Sequence, residues 1–144
     1  MANAYRFAID DLKKLAYLRT ARESLPQRIR IIDSELSLLR SSMKDSDPVK
    51  SSGGNSDDRA AQLVCNKMHL ERRLAIVGAE ISAIEQCLAA LSTQERRVLE
   101  VFFVEDARYA AEALADELHM DRATVYRIKE SALHKYEMAC GEAV

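Results

Sequence analysis

The stretch Leu63–Leu91, LVCNKMHLERRLAIVGAEISAIEQCLAAL, decides the architecture. Within it Leu63, Lys67, Leu70, Leu74, Val77, Ile81, Ile84, Leu88 and Leu91 recur at alternating steps of four and three. That repeat puts one apolar seam on a helix; a half-buried strand would instead alternate with period two. Lys67 is the only polar member, and its aliphatic stem can lie along the seam while the ammonium reaches water. With Asp57 as the expected cap, residues 57–91 span 35 positions, about 52 Å at 1.5 Å per residue. A helix with so long a stripe needs a partner, because an isolated helix is marginal in water.

The partner lies upstream. Ile29, Ile32, Leu36, Leu39 and Met43 form a second seam at steps of three and four. Between the seams, residues 45–56 carry Pro48, Gly53-Gly54 and short polar side chains, a composition that favours a flexible loop. The sequence therefore predicts an antiparallel, coiled-coil-like hairpin. Leu12, Leu15, Leu18 and Leu25 join the inner face only if the register slips, and Pro26 favours two segments, about 4–24 and 26–44. The longer seam outlasts the shorter, so its surplus must meet the 4–24 segment or a second chain. The expectation is a homodimer with Leu70, Leu74, Val77, Ile81 and Ile84 at or near the contact or packed within the arm; a monomeric bundle satisfies the same pattern.

Composition agrees with an all-α chain. Of 144 residues, 48% are hydrophobic and 31% charged, and four glycines and two prolines are too few for the turns of a many-stranded barrel. No apolar run approaches a membrane span, and no leader segment is expected. Cys65, Cys87 and Cys140 make an odd count without Cys-x-x-Cys spacing, so the expectation is a reducing cytoplasm and no disulfide framework. Cys65 and His69 stand four apart on one helix, but no second pair completes a tetrahedral site, and His119 and His134 lie far off in sequence. With no nucleophile elbow, phosphate loop or catalytic triad pattern, neither an enzyme nor a cofactor is expected.

After Leu91 the pattern changes. Ser92 and Glu95 have capping-box spacing, and three shorter helical stretches follow, about 93–104, 107–118 and 121–139. The last two read as a helix-turn-helix. Ala115 suits a close helix crossing, His119-Met120 makes the break, and Asp121 caps a helix with Val125 and Ile128 facing inward. Facing outward are Arg122, Ala123, Thr124, Tyr126, Arg127 and Lys129. Arginine can take guanine edges in a major groove and threonine can meet a thymine methyl. Charge argues both ways. Residues 92–144 hold seven Lys/Arg against eleven Asp/Glu, a net of −4, yet Arg122–Tyr136 holds four basic residues against Glu130 alone. A solvated amphipathic helix in a bundle fits the same spacing, and Arg96 and Arg97 fit either phosphate contact or a solvated face.

Residues 91–138 resemble region 4 of bacterial sigma-70-type factors. The shared elements are the Leu-x-x-x-Glu-Arg-x-Val-Leu opening, the Leu-Ala-x-x-Leu helix and the Arg-x-x-Val-x-x-Ile-x-x-x-Ala-Leu helix. The whole chain is similar to phage-encoded regulators of the ArpU/RinA sort, with Asp47-Pro48-Val49-Lys50-Ser51-Ser52 in the loop position. The resemblance implies a helical arm over residues 1–91 and a DNA-binding domain over 92–144. It further implies a transcriptional regulator of phage or prophage genes, with double-stranded DNA and host RNA polymerase as partners. Nothing resembles a promoter-melting region, so a complete sigma factor is not expected, and Tyr126 stands where a polar or basic residue is commoner. Two other classes fit the pattern: a small-terminase-like DNA-packaging oligomer, and an interaction module that docks on polymerase or another protein without touching DNA.

Overall fold

The computed structural model describes the backbone of residues 4–45 and 53–141, and the side chains of 4–42 and 57–141. The chain is all-α: α1 (Arg6–Asp45), α2 (Gly53–Ala89), α3 (Thr93–Leu99), a π turn (Glu100–Val104), α4 (Ala110–Leu118) and α5 (Arg122–Cys140). Among the described residues there is no strand, and no helix is long and apolar enough to cross a membrane.

Two long helices flank the expected loop, with two corrections. Pro26 does not divide the first segment but lies inside α1. An internal proline removes one backbone hydrogen bond and crowds the preceding turn. Here Ala21 and Leu25 are buried just before it and Leu36 after it, so a break would uncover a face already packed. The second helix begins at Gly53, four residues before Asp57. The loop expected over 45–56 is thus helical at its edges, and residues 46–52 lie outside the described residues.

The contacts divide the chain into two compact units, Met1–Arg19 with Ala79–Val144, and Thr20–Gly78. The division does not fall at residue 91. In the first unit Leu12, Leu15 and Leu18 of α1 are buried, as are Ile81, Ile84 and Leu88 of α2 and Leu133 and Tyr136 of α5. Tyr136 donates its hydroxyl to Asp11 Oδ2 at 3.2 Å, and Tyr5 meets His134 edge-on at 6.3 Å between ring centroids. The start of α1 and the end of α2 therefore meet the C-terminal half of α5. On α1 the buried positions Leu12, Leu15, Leu18 and Ala21 step by three, a register slip that carries the apolar stripe around the helix. The slip falls at the boundary between the units.

The second unit is the pairing of the two seams. Leu25 and Leu36 of α1 and Leu63, Leu70 and Val77 of α2 are buried, whereas Ile29, Ile32, Leu39 and Leu74 are half-buried. Met43 has no described side chain. Lys67 Nζ reaches Asp33 at 2.7 Å, a hydrogen bond that raises the lysine pKa. Arg59 reaches Glu35 at 2.9 Å. Leu70, Val77, Ile81 and Ile84, assigned to arm or dimer packing, are all buried within one chain.

The cysteine expectation is also corrected: Cys87 and Cys140 form a disulfide with Cα atoms 5.7 Å apart, and Cys65 is the exposed free thiol. The partners are 53 residues apart, on the last turns of α2 and α5. No local spacing in the sequence could signal that pairing.

Candidate nucleic-acid interface

α3 starts as the sequence predicts. Ser92 Oγ accepts from the Glu95 amide at 3.1 Å, and Glu95 Oε1 accepts from the Ser92 amide at 3.0 Å. The Glu95 carboxylate also takes Lys135 Nζ of α5 at 2.7 Å. Its burial alone would raise the pKa, but the Lys135 and Ser92 hydrogen bonds together hold it below the usual carboxylate range. The helix expected to run to residue 104 changes after Leu99 into the π turn, in which the Glu105 amide bonds back to Glu100 O at 2.8 Å. The wider turn inserts a residue into the helical ladder. Val101 is buried in the domain core, and Phe102 packs against it.

The helix-turn-helix itself is compact. α4 begins at Ala110 rather than 107, and His119 ends it in the left-handed conformation at φ 56° and ψ 51°. Met120 then donates to Ala115 O at 3.0 Å. Asp121 Oδ1 accepts from the Thr124 amide at 2.9 Å and starts α5. That carboxyl lies below its ordinary pKa, through its hydrogen bonds from Thr124 and then the nearby Arg127 charge. Val98, Val101, Ala110, Leu114 and Val125 make the core, with Ala115, Met120 and Ile128 packed against it. Val125 and Ile128 face inward, as their spacing predicts.

The outward residues separate into two edges of α5. On one edge, Arg122 Nη1 bonds Glu112 Oε1 of α4 at 2.7 Å, raising the arginine pKa and lowering the glutamate's. Beside it, Lys129 Nζ lies 4.9 Å from the Phe102 ring centre and 5.1 Å from that of Tyr126. The two rings stand 5.9 Å apart. A cation held over aromatic faces is attracted by the ring quadrupoles. On the other edge, Arg127 is exposed and lines a cleft of about 410 Å³ with Ser92, Gln94 and Ser131. Ala123 and Tyr126 are exposed, and Thr124 is half-buried.

The sequence places these six residues on one short helix, and the structure keeps them on its outer side. Their electrostatic partners were not legible. Glu112 is ten residues before Arg122, and Phe102 is 24 before Tyr126. Arg97 behaves like Arg122: both its Nε and Nη2 bond Glu117 at 2.9 Å, and Nη1 reaches Glu105 at 3.4 Å. These bonds raise the Arg97 pKa further and lower that of Glu117. Lys135 is taken by Glu95. For the aromatic support under Lys129 the sequence signals were Tyr126, three residues before it on the same helix, and the Phe102-Phe103 pair. No group of three or more His, Cys, Asp or Glu side chains among the described residues is arranged to hold a metal.

Comparison with protein-family models, curated proteins and solved structures returns no match.

Proposed function

We propose that this chain is a sequence-specific, homodimeric DNA-binding regulator of phage or prophage transcription, and not an enzyme. α5 enters the major groove by its N-terminal turns. The observation that carries this reading is the α4–turn–α5 unit. A left-handed residue at His119 and a side-chain cap at Asp121 set a short helix whose first two turns expose Arg122, Ala123, Tyr126 and Arg127. The sequence resemblance to region 4 supports the same assignment. In this reading Arg127 and Arg122 reach base edges, Thr124 and Tyr126 make apolar or backbone contacts, and Lys129 meets phosphate. A cytoplasmic setting follows from the DNA target, not from the cysteine count.

One observation favours a second reading. Three of the surface cations near α5 are already bonded to carboxylates, Arg97 to Glu117, Arg122 to Glu112 and Lys135 to Glu95. A helix whose charges are matched internally suits a protein partner, such as RNA polymerase, as well as a polyanion. Fluorescence anisotropy on genomic fragments upstream of neighbouring genes, titrated with salt, separates the two. Under the DNA reading Arg127→Ala costs roughly 1–3 kcal/mol at one base pair. Unchanged binding of every fragment by that variant transfers α5 to the protein-docking reading.

A further inference from the structure

Arg97, Arg122 and Lys135, three cations around α5, are each held by a carboxylate. Lys129 is held differently. Its Nζ lies over the rings of Phe102 and Tyr126, 4.9 and 5.1 Å from their centres, and makes no ion pair among the described residues. Both distances are inside the roughly 6 Å over which a ring quadrupole attracts a cation. A carboxylate cancels the charge that it holds, whereas a ring fixes the ammonium and leaves its net charge in place. Tyr126 is on the same helix, one turn before Lys129, and is exposed. Phe102 comes from another element, the π turn, where it is half-buried and packed against the helix-turn-helix core. Its ring stands 5.9 Å from that of Tyr126. Turns of this wider kind recur at functional sites.

We infer that Phe102 is a positioning residue for DNA binding: its ring holds the Lys129 ammonium at one edge of α5, ready for a backbone phosphate. A lysine side chain loses much rotamer freedom when it settles on a phosphate. Holding it in place beforehand removes part of that cost. The ammonium has three donors, and ring faces engage only some of them, so others remain for phosphate oxygens. Phe102 itself touches no nucleic acid in this scheme. Phosphate contacts carry no sequence information, so its effect falls on all DNA sequences alike. The inference rests on the DNA-binding reading above and adds to it the residue that prepares one phosphate contact.

Anisotropy on the genomic fragments and on a mixed-sequence duplex of equal length, with the full chain, tests it. Phe102→Leu and Phe102→Met keep apolar bulk and remove the quadrupole. Each is expected to weaken binding of every duplex about three- to tenfold. In a chain that already carries Lys129→Ala, the same substitutions are expected to change binding by less than about twofold. Phe102→Tyr, which keeps a ring, restores binding to within about twofold of wild type. In the DNA-free chain the Lys129 ε-methylene protons, close to two ring faces, resonate upfield by NMR; Phe102→Leu moves them at least halfway back, and Phe102→Tyr does not. Circular dichroism of each chain checks that the helices remain. A loss as large in the Lys129→Ala background as in wild type, or a changed ranking of the fragments, would show Phe102 acting through the core or through Tyr126. Either result overturns the inference while leaving DNA binding, as does wild-type affinity in both Phe102→Leu and Phe102→Met. A wild-type chain that binds no duplex overturns the DNA reading and this role of Phe102 with it.

Discussion

The two compact units differ in how completely they bury their interiors. The unit of Met1–Arg19 and Ala79–Val144 buries Leu12, Leu15, Ile81, Leu88, Leu99, Leu114, Val125 and Tyr136 almost completely and closes a disulfide. Two of its surface arginines near α5, Arg97 and Arg122, are drawn onto glutamates. The Thr20–Gly78 unit has one seam, crossed by the Lys67–Asp33 and Arg59–Glu35 pairs, and it leaves Ile31, Leu38 and Ile76 exposed, as the first unit leaves Phe7, Tyr17, Tyr109 and Met138. A small core with a long surface is expected to be the less stable of the two. The comparison teaches that the heptad pattern, which marks both units alike in the sequence, does not say which has enough neighbours to be self-sufficient.

The sharpest way to break that contrast is to put the same charge in each unit. Leu88→Asp, at a side chain with no exposure, is expected to cost about 4 kcal/mol or more. Leu38→Asp, at 71% exposure, is expected to stay within about 0.5 kcal/mol. Urea unfolding followed by circular dichroism measures both. Equal losses would mean that the exposed face of α1 is covered in solution.

The covalent closure comes next in size. The Cys87–Cys140 bond closes a loop of sequence separation 53, which on chain-entropy grounds is worth about 4 kcal/mol when the native geometry is unstrained, with smaller values common. Reductant should therefore lower the urea midpoint of the wild type and leave that of Cys140→Ala unmoved. Coincident wild-type curves with and without reductant would remove the cross-link from the account of this unit's stability.

A smaller effect isolates the α1–α5 contact. Burial, and then the Asp11 carboxylate, push the Tyr136 phenol pKa well above its ordinary value. The folded chain therefore favours the neutral phenol. Its contribution is complete below about pH 10, where the unfolded phenol ionises, and is lost as pH rises through the higher folded value. Tyr136→Phe is expected to cost about 1 kcal/mol at neutral pH and to flatten the alkaline loss of stability. If both chains lose stability alike above pH 10, the hydroxyl contact with Asp11 does not matter to folding.

These contrasts also mark what could be read from the residues. The α2 seam, the Ser92–Glu95 capping box, the Asp121 cap and the inward Val125 and Ile128 were legible because each depends on neighbours within one or two helical turns. Pro26 misled because its local penalty was outweighed by a buried face that extends on both sides of it. The π turn left no trace, since a one-residue widening of a helix changes no propensity. The place of residues 6–19 beneath α5, the Cys87–Cys140 pair and the Arg122–Glu112 bond all join distant positions. The outward face of the candidate recognition helix was thus visible in sequence, whereas the electrostatic state of that face was not.

That state supplies the smallest prediction, and the one that bears most directly on function. For Arg122 to meet a phosphate or a base edge it must leave Glu112, to which it is bonded at 2.7 Å. The Glu112 carboxyl is held below its ordinary pKa by that same hydrogen bond, so near neutral pH the carboxylate is charged and competes with the polyanion. Replacing it with glutamine keeps the shape and removes the competing charge. Under the DNA reading, Glu112→Gln should tighten binding several-fold. It should also steepen the slope of log affinity against log salt by about 0.9 if Arg122 then neutralises one further phosphate. Glu112→Gln combined with Arg122→Ala should lose both changes, which excludes a general effect of making the domain less acidic. A slope and affinity unchanged by Glu112→Gln would mean that Arg122 stays off the DNA. The internal matching of charge in this unit would then be its working state, as a surface that docks on another protein.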